Sequence, residues 1–209
     1  MRGTRGRRRE RPREGRVLDF LPSGRPLDAH PEHRNKPFIQ AIEEHKFKLL
    51  EFNAKFGSAF NIGEKVSFTP LDERLLNRFY YISYEELTSV AQSSLPEVIK
   101  GIILENEKLF VDFFNLSGPI TVKLHALELL PGVGRKMLEE ILEARKNKPF
   151  ESFEDLAKRT HLKHPVDVLV ERIIKEIKGE EKYYLFVEPP KPGYTYLNYL
   201  GRLRRAARG

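Results

Sequence analysis

Up to about residue 82 the apolar positions come in short alternating runs; beyond it they recur every three to four residues. Val17–Phe20, Phe38–Ile42, Phe47–Phe52, Lys65–Phe68 and Phe79–Ile82 read as strands. Glu43-Glu44-His45 makes a turn between the second and third, and Gly57 and Gly63 bracket another loop. Five short strands in so few residues suit a small OB-like β-barrel. The first connection, Pro22–Pro37, is long and carries Arg25, His30, His33, Arg34 and Lys36. In an OB fold such a loop borders the ligand groove, yet barrels of this size also serve as plain scaffolds.

From Ser83 the pattern is helical. Ser83-Tyr84-Glu85-Glu86 is a capping-box signature, and Ser94-Leu95-Pro96-Glu97 predicts a second helix start with proline in its first turn. Val98, Ile99, Ile102 and Ile103 give that helix an apolar face, and Glu107–Asn115 continues it before Leu116-Ser117-Gly118-Pro119 breaks the chain. Leu124, Leu127 and Leu130 then predict a short helix, and Met137, Leu138, Ile141 and Leu142 predict another. Between them lies Pro131-Gly132-Val133-Gly134, with Arg135 and Lys136 directly after it. The proline ends the first helix, the glycines permit positive φ and close backbone approach, and Val133 is expected to tuck between the helices. Free N–H groups at a helix start suit a phosphate, and the two cations add full charge. Residues 124–145 resemble a helix-hairpin-helix motif, which grips nucleic-acid backbone without reading bases. Some such hairpins only pack helices or dock proteins, and both readings stand.

Ser152-Phe153-Glu154-Asp155 caps a short helix through Arg159, and Pro165 opens a longer one that Gly179 stops. This looks like the second half of a tandem arrangement. Its joint, Thr160–Pro165, lacks the glycine pair, so it reads as structural. The fold class expected is therefore α+β: a small five-stranded OB-like β-barrel, then an all-helical tandem helix-hairpin-helix domain, with basic terminal tails. The expected divisions are 1–16 as a disordered arginine-rich arm, 17–82 as barrel, 83–181 as helical domain, and 182–209 as a strand plus a basic aromatic tail. In that last part Lys182–Glu188 reads as a strand. Tyr194–Gly209 reads either as a packed terminal helix or as a docking tail for RNA or protein.

Charge changes the picture more than length does. The chain of 209 residues carries +7 overall, but residues 1–16 hold eight arginines and two glutamates, and 201–209 hold four arginines and no acid. The body between them is left at −3. The basic side chains of the two tails are all arginine: Arg2, Arg5, Arg7, Arg8, Arg9, Arg11, Arg13 and Arg16 at one end, and Arg202, Arg204, Arg205 and Arg208 at the other. The planar guanidinium pairs with phosphate in two-point fashion and stacks on bases. The absence of cysteine removes disulfides and thiolate metal sites and suits a reducing cytoplasm. No apolar run approaches the roughly 20 residues of a membrane span.

Candidate chemistry is sparse. The chain has no Gly-Lys-Ser/Thr phosphate loop, no GxGxxG, no GxSxG and no HExxH. His30-Pro31-Glu32-His33 offers two imidazoles without an evident third ligand, and is expected on a loop surface. No cofactor, small-molecule substrate or metal is expected, and the protein is not expected to be an enzyme.

The runs YISYEELT, FVDFFNLSGPIT, LHALELLPGVG, PFESFEDL and KYYLFV together resemble an archaeal family catalogued as domain of unknown function 655. The resemblance implies an OB-like barrel joined to a tandem helix-hairpin-helix region and an RNA-binding label, and it carries over Pro131, Gly132, Val133 and Gly134 alone. The function expected is a non-enzymatic, cytoplasmic RNA-binding protein, ribosomal or ribosome-associated, holding rRNA backbone beside neighbouring ribosomal proteins. Its contacts would be residues 131–136, the tail arginines, Arg25, Arg34 and Lys36. The alternatives are a DNA-binding accessory of repair or replication and a protein-docking module.

Overall fold

A computed structural model describes residues 11–28, 30–189 and 193–206. The chain order is β1 (Glu14–Leu21), β2 (Phe38–Glu43), β3 (Leu49–Ala54), β4 (Lys65–Ser67) and β5 (Leu75–Tyr81), then α1 (Ser89–Glu105) and α2 (Glu107–Leu116). There follow β6 (Pro119–Thr121), β7 (Leu124–His125), α3 (Arg135–Asn147), α4 (Phe153–Arg159), α5 (Pro165–Ile177), β8 (Tyr183–Tyr184), β9 (Thr195–Tyr196) and α6 (Tyr199–Ala206). The class is α+β, as expected. No described helix is long and apolar enough to cross a membrane.

The five expected strands form one curled antiparallel sheet, ordered β4-β1-β2-β3-β5. Period-two alternation sorts its side chains. Val17, Ile39, Ala41, Leu50, Phe52, Val66 and Phe68 pack inside the curl as one apolar cluster. Leu18, Ile42 and Leu49 leave by the other face and join the core of the helical half. The helices thus lie against the sheet through a shared core. Ser94 Oγ donates to Leu18 O at 2.8 Å, and Thr88 Oγ1 to Asp19 Oδ2 at 2.6 Å, which fixes α1 on β1.

Three expectations change. The sheet starts at Glu14, and the Arg13 carbonyl accepts from Phe68 and Thr69, so residues 11–16 belong to the body; 1–10 lie outside the described residues. Ser94-Leu95-Pro96 does not start a helix. Thr88 is the N-cap, accepting from Ala91 N at 3.0 Å, and Pro96 lies inside α1. The local signal at Ser94 was real, but its hydroxyl is used by the sheet. Finally, Leu124–Leu130 is not an α-helix. Leu124 and His125 pair with β6, and Ala126–Leu129 is a single 3-10 turn. Leu127 and Leu130, both buried, are three residues apart, which matches a three-residue turn as well as a helix.

Candidate nucleic-acid interface

The segment leading into the glycine turn is held by its own polar atoms. His125 Nδ1 accepts from Leu127 N at 3.1 Å, and Glu128 Oε2 accepts from His125 N at 2.7 Å, a reciprocal cap. Leu127, Leu130 and Val133 are buried, so every third residue anchors the strip while Gly132 and Gly134 stay exposed. Val133 N donates to Leu130 O at 3.1 Å, closing the turn. Gly132 sits at φ +76°, a conformation that favours glycine. Gly134 is different. It is extended (φ −84°, ψ −178°), any residue can adopt that backbone, and a Cβ there would meet nothing within 4 Å.

Gly134 is the N-cap of α3 and offers no side chain to its first-turn N–H groups. No acid occupies that first turn. Arg135 pairs with Glu139 at 3.6 Å with its side chain 89% exposed, and Lys136 is exposed. The helix itself is rigidly mounted. Arg159 donates to Ala144 O and Lys148 O, each at 2.6 Å, and closes the carbonyl end of α3. Arg145 Nη1 donates to Phe114 O at 2.8 Å, and Asn115 brackets Phe150 through both its amide atoms. At the joint between α4 and α5, Thr160 Oγ1 donates to Leu156 O at 2.8 Å and accepts from Leu162 N at 3.2 Å. A side chain satisfies that joint from within.

The arginines divide into two kinds. Arg16 pairs with Glu44 at 2.6 Å and with Glu105, and Arg204 donates to His45 O at 3.1 Å and Glu44 O at 3.4 Å. These two fasten β1 and α6 around the β2–β3 turn. The terminal helix α6 packs by Tyr199 and Leu200, with Tyr199 edge-on to Phe113 at 5.1 Å. Arg25 Nη1 donates to Glu86 O at 3.1 Å and Arg34 Nε to Asp28 O at 3.2 Å, while the rest of Arg34, and Lys36, face solvent. Arg11 donates to Asn77, and Arg13, Arg202 and Arg205 are exposed. Arg2, Arg5, Arg7, Arg8, Arg9 and Arg208 lie outside the described residues.

The expectation for His30 and His33 is overturned. His33 is completely buried, and both imidazoles converge with Asp28 and Glu51, a set whose ligand atoms all lie within 4.8 Å of one another. Burial opposes a charge on His33, but its hydrogen bonds to Glu51 and Asn53 and the nearby carboxylates outweigh it and hold its pKa above the ordinary value. Sequence reasoning missed Glu51 because it comes from β3. The available signal was polar residues at alternate positions of otherwise apolar strands: Gln40 in β2, and Glu51 and Asn53 in β3, all buried on one face.

Residues 12–188 match the model of a family described as a protein of unknown function, DUF655. An uncharacterized protein of Methanocaldococcus jannaschii, MJ0038, is 38% identical over 175 residues, covering 82% of this chain and 78% of its own. The crystal structure of Af1531 from Archaeoglobus fulgidus, assigned to the same family, superposes with a TM-score of 0.76 at 42% identity. It covers 84% of this chain and 99% of its own.

Proposed function

The chain belongs to the DUF655 family of unknown function, and for it we propose a non-enzymatic role in binding RNA backbone, with the start of α3 as the clamp. The observation that carries this reading is Gly134. Nothing inside the protein calls for glycine there, since its φ is ordinary and the space beside it is open. Its missing side chain leaves the first-turn N–H groups of α3 open to solvent, beside Arg135 and Lys136. That is the geometry a phosphate takes at a helix N-terminus.

In this reading residues 124–145 act as a helix-hairpin-helix whose first arm has shortened to a 3-10 turn. The curled sheet acts as an OB-like barrel, with Arg34 and Lys36 of its long connection adding exposed cations. The arginines at both ends that are not used inside the body extend the contact along phosphates. Arginine-rich ends on an acidic body suit crevices between RNA helices, so ribosomal RNA in the cytoplasm is the partner proposed, with neighbouring ribosomal proteins around it. The deciding experiment is a titration of structured RNA and of duplex DNA at matched salt against the wild type and Gly134→Asp. Loss of RNA affinity in the folded variant supports the clamp. Unchanged affinity, or preference for duplex DNA, sinks it.

A further inference from the structure

We infer that Asp28, His30, His33 and Glu51 form a binding site for one divalent transition-metal ion of the zinc type, which fastens the Pro22–Pro37 connection to β3. Nδ1 of His30 and Nδ1 of His33 each lie 3.0 Å from the same oxygen, Glu51 Oε2, and each 3.5 Å from Asp28 Oδ1. Four ligands about 2.0–2.1 Å from a tetrahedral zinc are about 3.3 Å from one another. The four observed separations straddle that value.

The hydrogen bonding around the cluster aims the ligands inward. His33 Nε2 is 2.9 Å from Asn53 Oδ1, an acceptor, so Nε2 carries the proton and Nδ1 presents its lone pair to Glu51. A lone pair 3.0 Å from a carboxylate oxygen is repulsive unless a proton or a cation lies between them. The same oxygen faces His30 Nδ1. One divalent cation answers both imidazoles at the shared oxygen and balances the two carboxylates, where protons alone would have to charge the His33 ring.

The outer partners are those a metal site uses to fix its ligands. Gln40 Nε2 donates to Glu51 Oε1 at 2.8 Å, leaving Oε2 for the centre, and His30 N donates to Asp28 Oδ1 at 2.8 Å. Phe38 stacks on His33 with centroids 4.2 Å apart, and Tyr80 stacks on His30 at 3.8 Å. Two nitrogens and two oxygens form a borderline donor set that suits zinc and its first-row neighbours better than magnesium or calcium, which favour all-oxygen shells. All four positions are filled by protein, and only His30 is appreciably exposed, so the site is of the closed, structural kind. Three ligands come from the long connection and the fourth from β3. The ion therefore sets where that loop, with Arg34 and Lys36, lies on the sheet. This does not depend on the RNA reading.

The test uses the full chain without a histidine tag, expressed with zinc, dialysed, and assayed by elemental analysis. About one zinc per chain is expected. Chelation should lower the midpoint of thermal unfolding by roughly 5 °C or more, with recovery on adding Zn2+ to the stripped protein. Cobalt substitution should give visible bands of tetrahedral intensity. His30→Ala changes the partly exposed ligand and should keep the fold while losing the metal. Glu51→Gln should lose it too, and His161→Ala should retain it. A wild type with no zinc and no thermal response to Zn2+ or chelator overturns the site. So does unchanged stoichiometry in His30→Ala, which would place the metal elsewhere.

Discussion

Arg172 and Glu176 lie one turn apart on α5, with Nε and Oε1 2.9 Å apart and both side chains out of contact with solvent. The pair is a post to which two distant segments are tied. The Glu176 carboxylate also accepts from Leu185 N at 2.7 Å, Phe186 N at 3.0 Å and Val187 N at 2.9 Å. Arg172 Nη1 donates to Leu129 O at 2.9 Å, two residues before the glycine turn, and Nη2 donates to Tyr183 O. Burial pushes the Glu176 carboxyl above its ordinary pKa, against the pull of Arg172 and three N–H groups.

Removing Glu176 leaves Arg172 with Glu181 Oε2 at 2.9 Å but leaves the three converging N–H groups without their carboxylate. Glu176→Gln puts an amide NH2 where backbone donors already converge. It is expected to cost about 1–3 kcal/mol, read from the denaturant midpoint. The same variant should raise hydrogen exchange at Leu185, Phe186 and Val187. A loss under about 1 kcal/mol would show that the pair is not a tie.

The two glycines of the proposed clamp should respond in opposite directions. Gly134→Asp supplies the missing N-cap and places an acid at the helix start, so the fold should gain about 1 kcal/mol while RNA affinity falls. Gly132→Ala forces a Cβ into φ +76° and should cost about 1–2 kcal/mol. Thermal unfolding and filter binding on the same preparations separate stability from binding.

Arginines used internally should differ from those facing solvent. Arg135→Ala with Lys136→Ala should flatten the dependence of log affinity on log salt by about 0.7–0.9 per removed contact, with little loss of stability. Arg204→Ala should leave that slope unchanged. It should destabilise the fold by about 1–2 kcal/mol, because His45 O and Glu44 O lose their donor.

Glu43 gives a pH signature. Burial pushes its carboxyl up to about 7, against the hydrogen bonds from Lys46 and His45 and the charge of Arg204. Between the ordinary carboxylate range and pH 7 the folded protein holds a proton that the unfolded chain has released. The stability gained is therefore complete at low pH and lost as pH rises through 7. Glu43→Gln is the comparison that isolates this group, since His45, whose pKa burial lowers, titrates in both proteins. The variant should match the wild type near pH 4 and exceed it at pH 8, by up to about 3 kcal/mol. A difference independent of pH would remove Glu43 as the cause.

Where local sequence controls local structure, the reading held. The five strands are present, shifted by a few residues at their ends, because alternation in Phe38–Ile42 and Phe47–Phe52 reports two packed faces. Phe47 is an exception: it is buried at φ +53°, outside β3, and an apolar run conceals such a turn. One helix starts directly after Gly134 and another at Pro165, where the glycine turn and the proline place them. Ser94-Leu95-Pro96 and Leu124–Leu130 misled because a serine before proline, and leucines three apart, are compatible with more than one backbone. Thr88 and the β6–β7 pairing chose between them.

The amino-acid sequence by itself determined the α+β class, the glycine turn before α3, and the concentration of arginine at the ends, since each depends on neighbours within a few residues. Among the described residues, tertiary structure alone decided which arginines are used internally, because Arg16 and Arg204 meet Glu44 only once β1, the β2–β3 turn and α6 come together. It also decided that His30 and His33 face Glu51. A strand residue 18 positions away supplies what the loop lacks, and no periodicity encodes a convergence between separate elements.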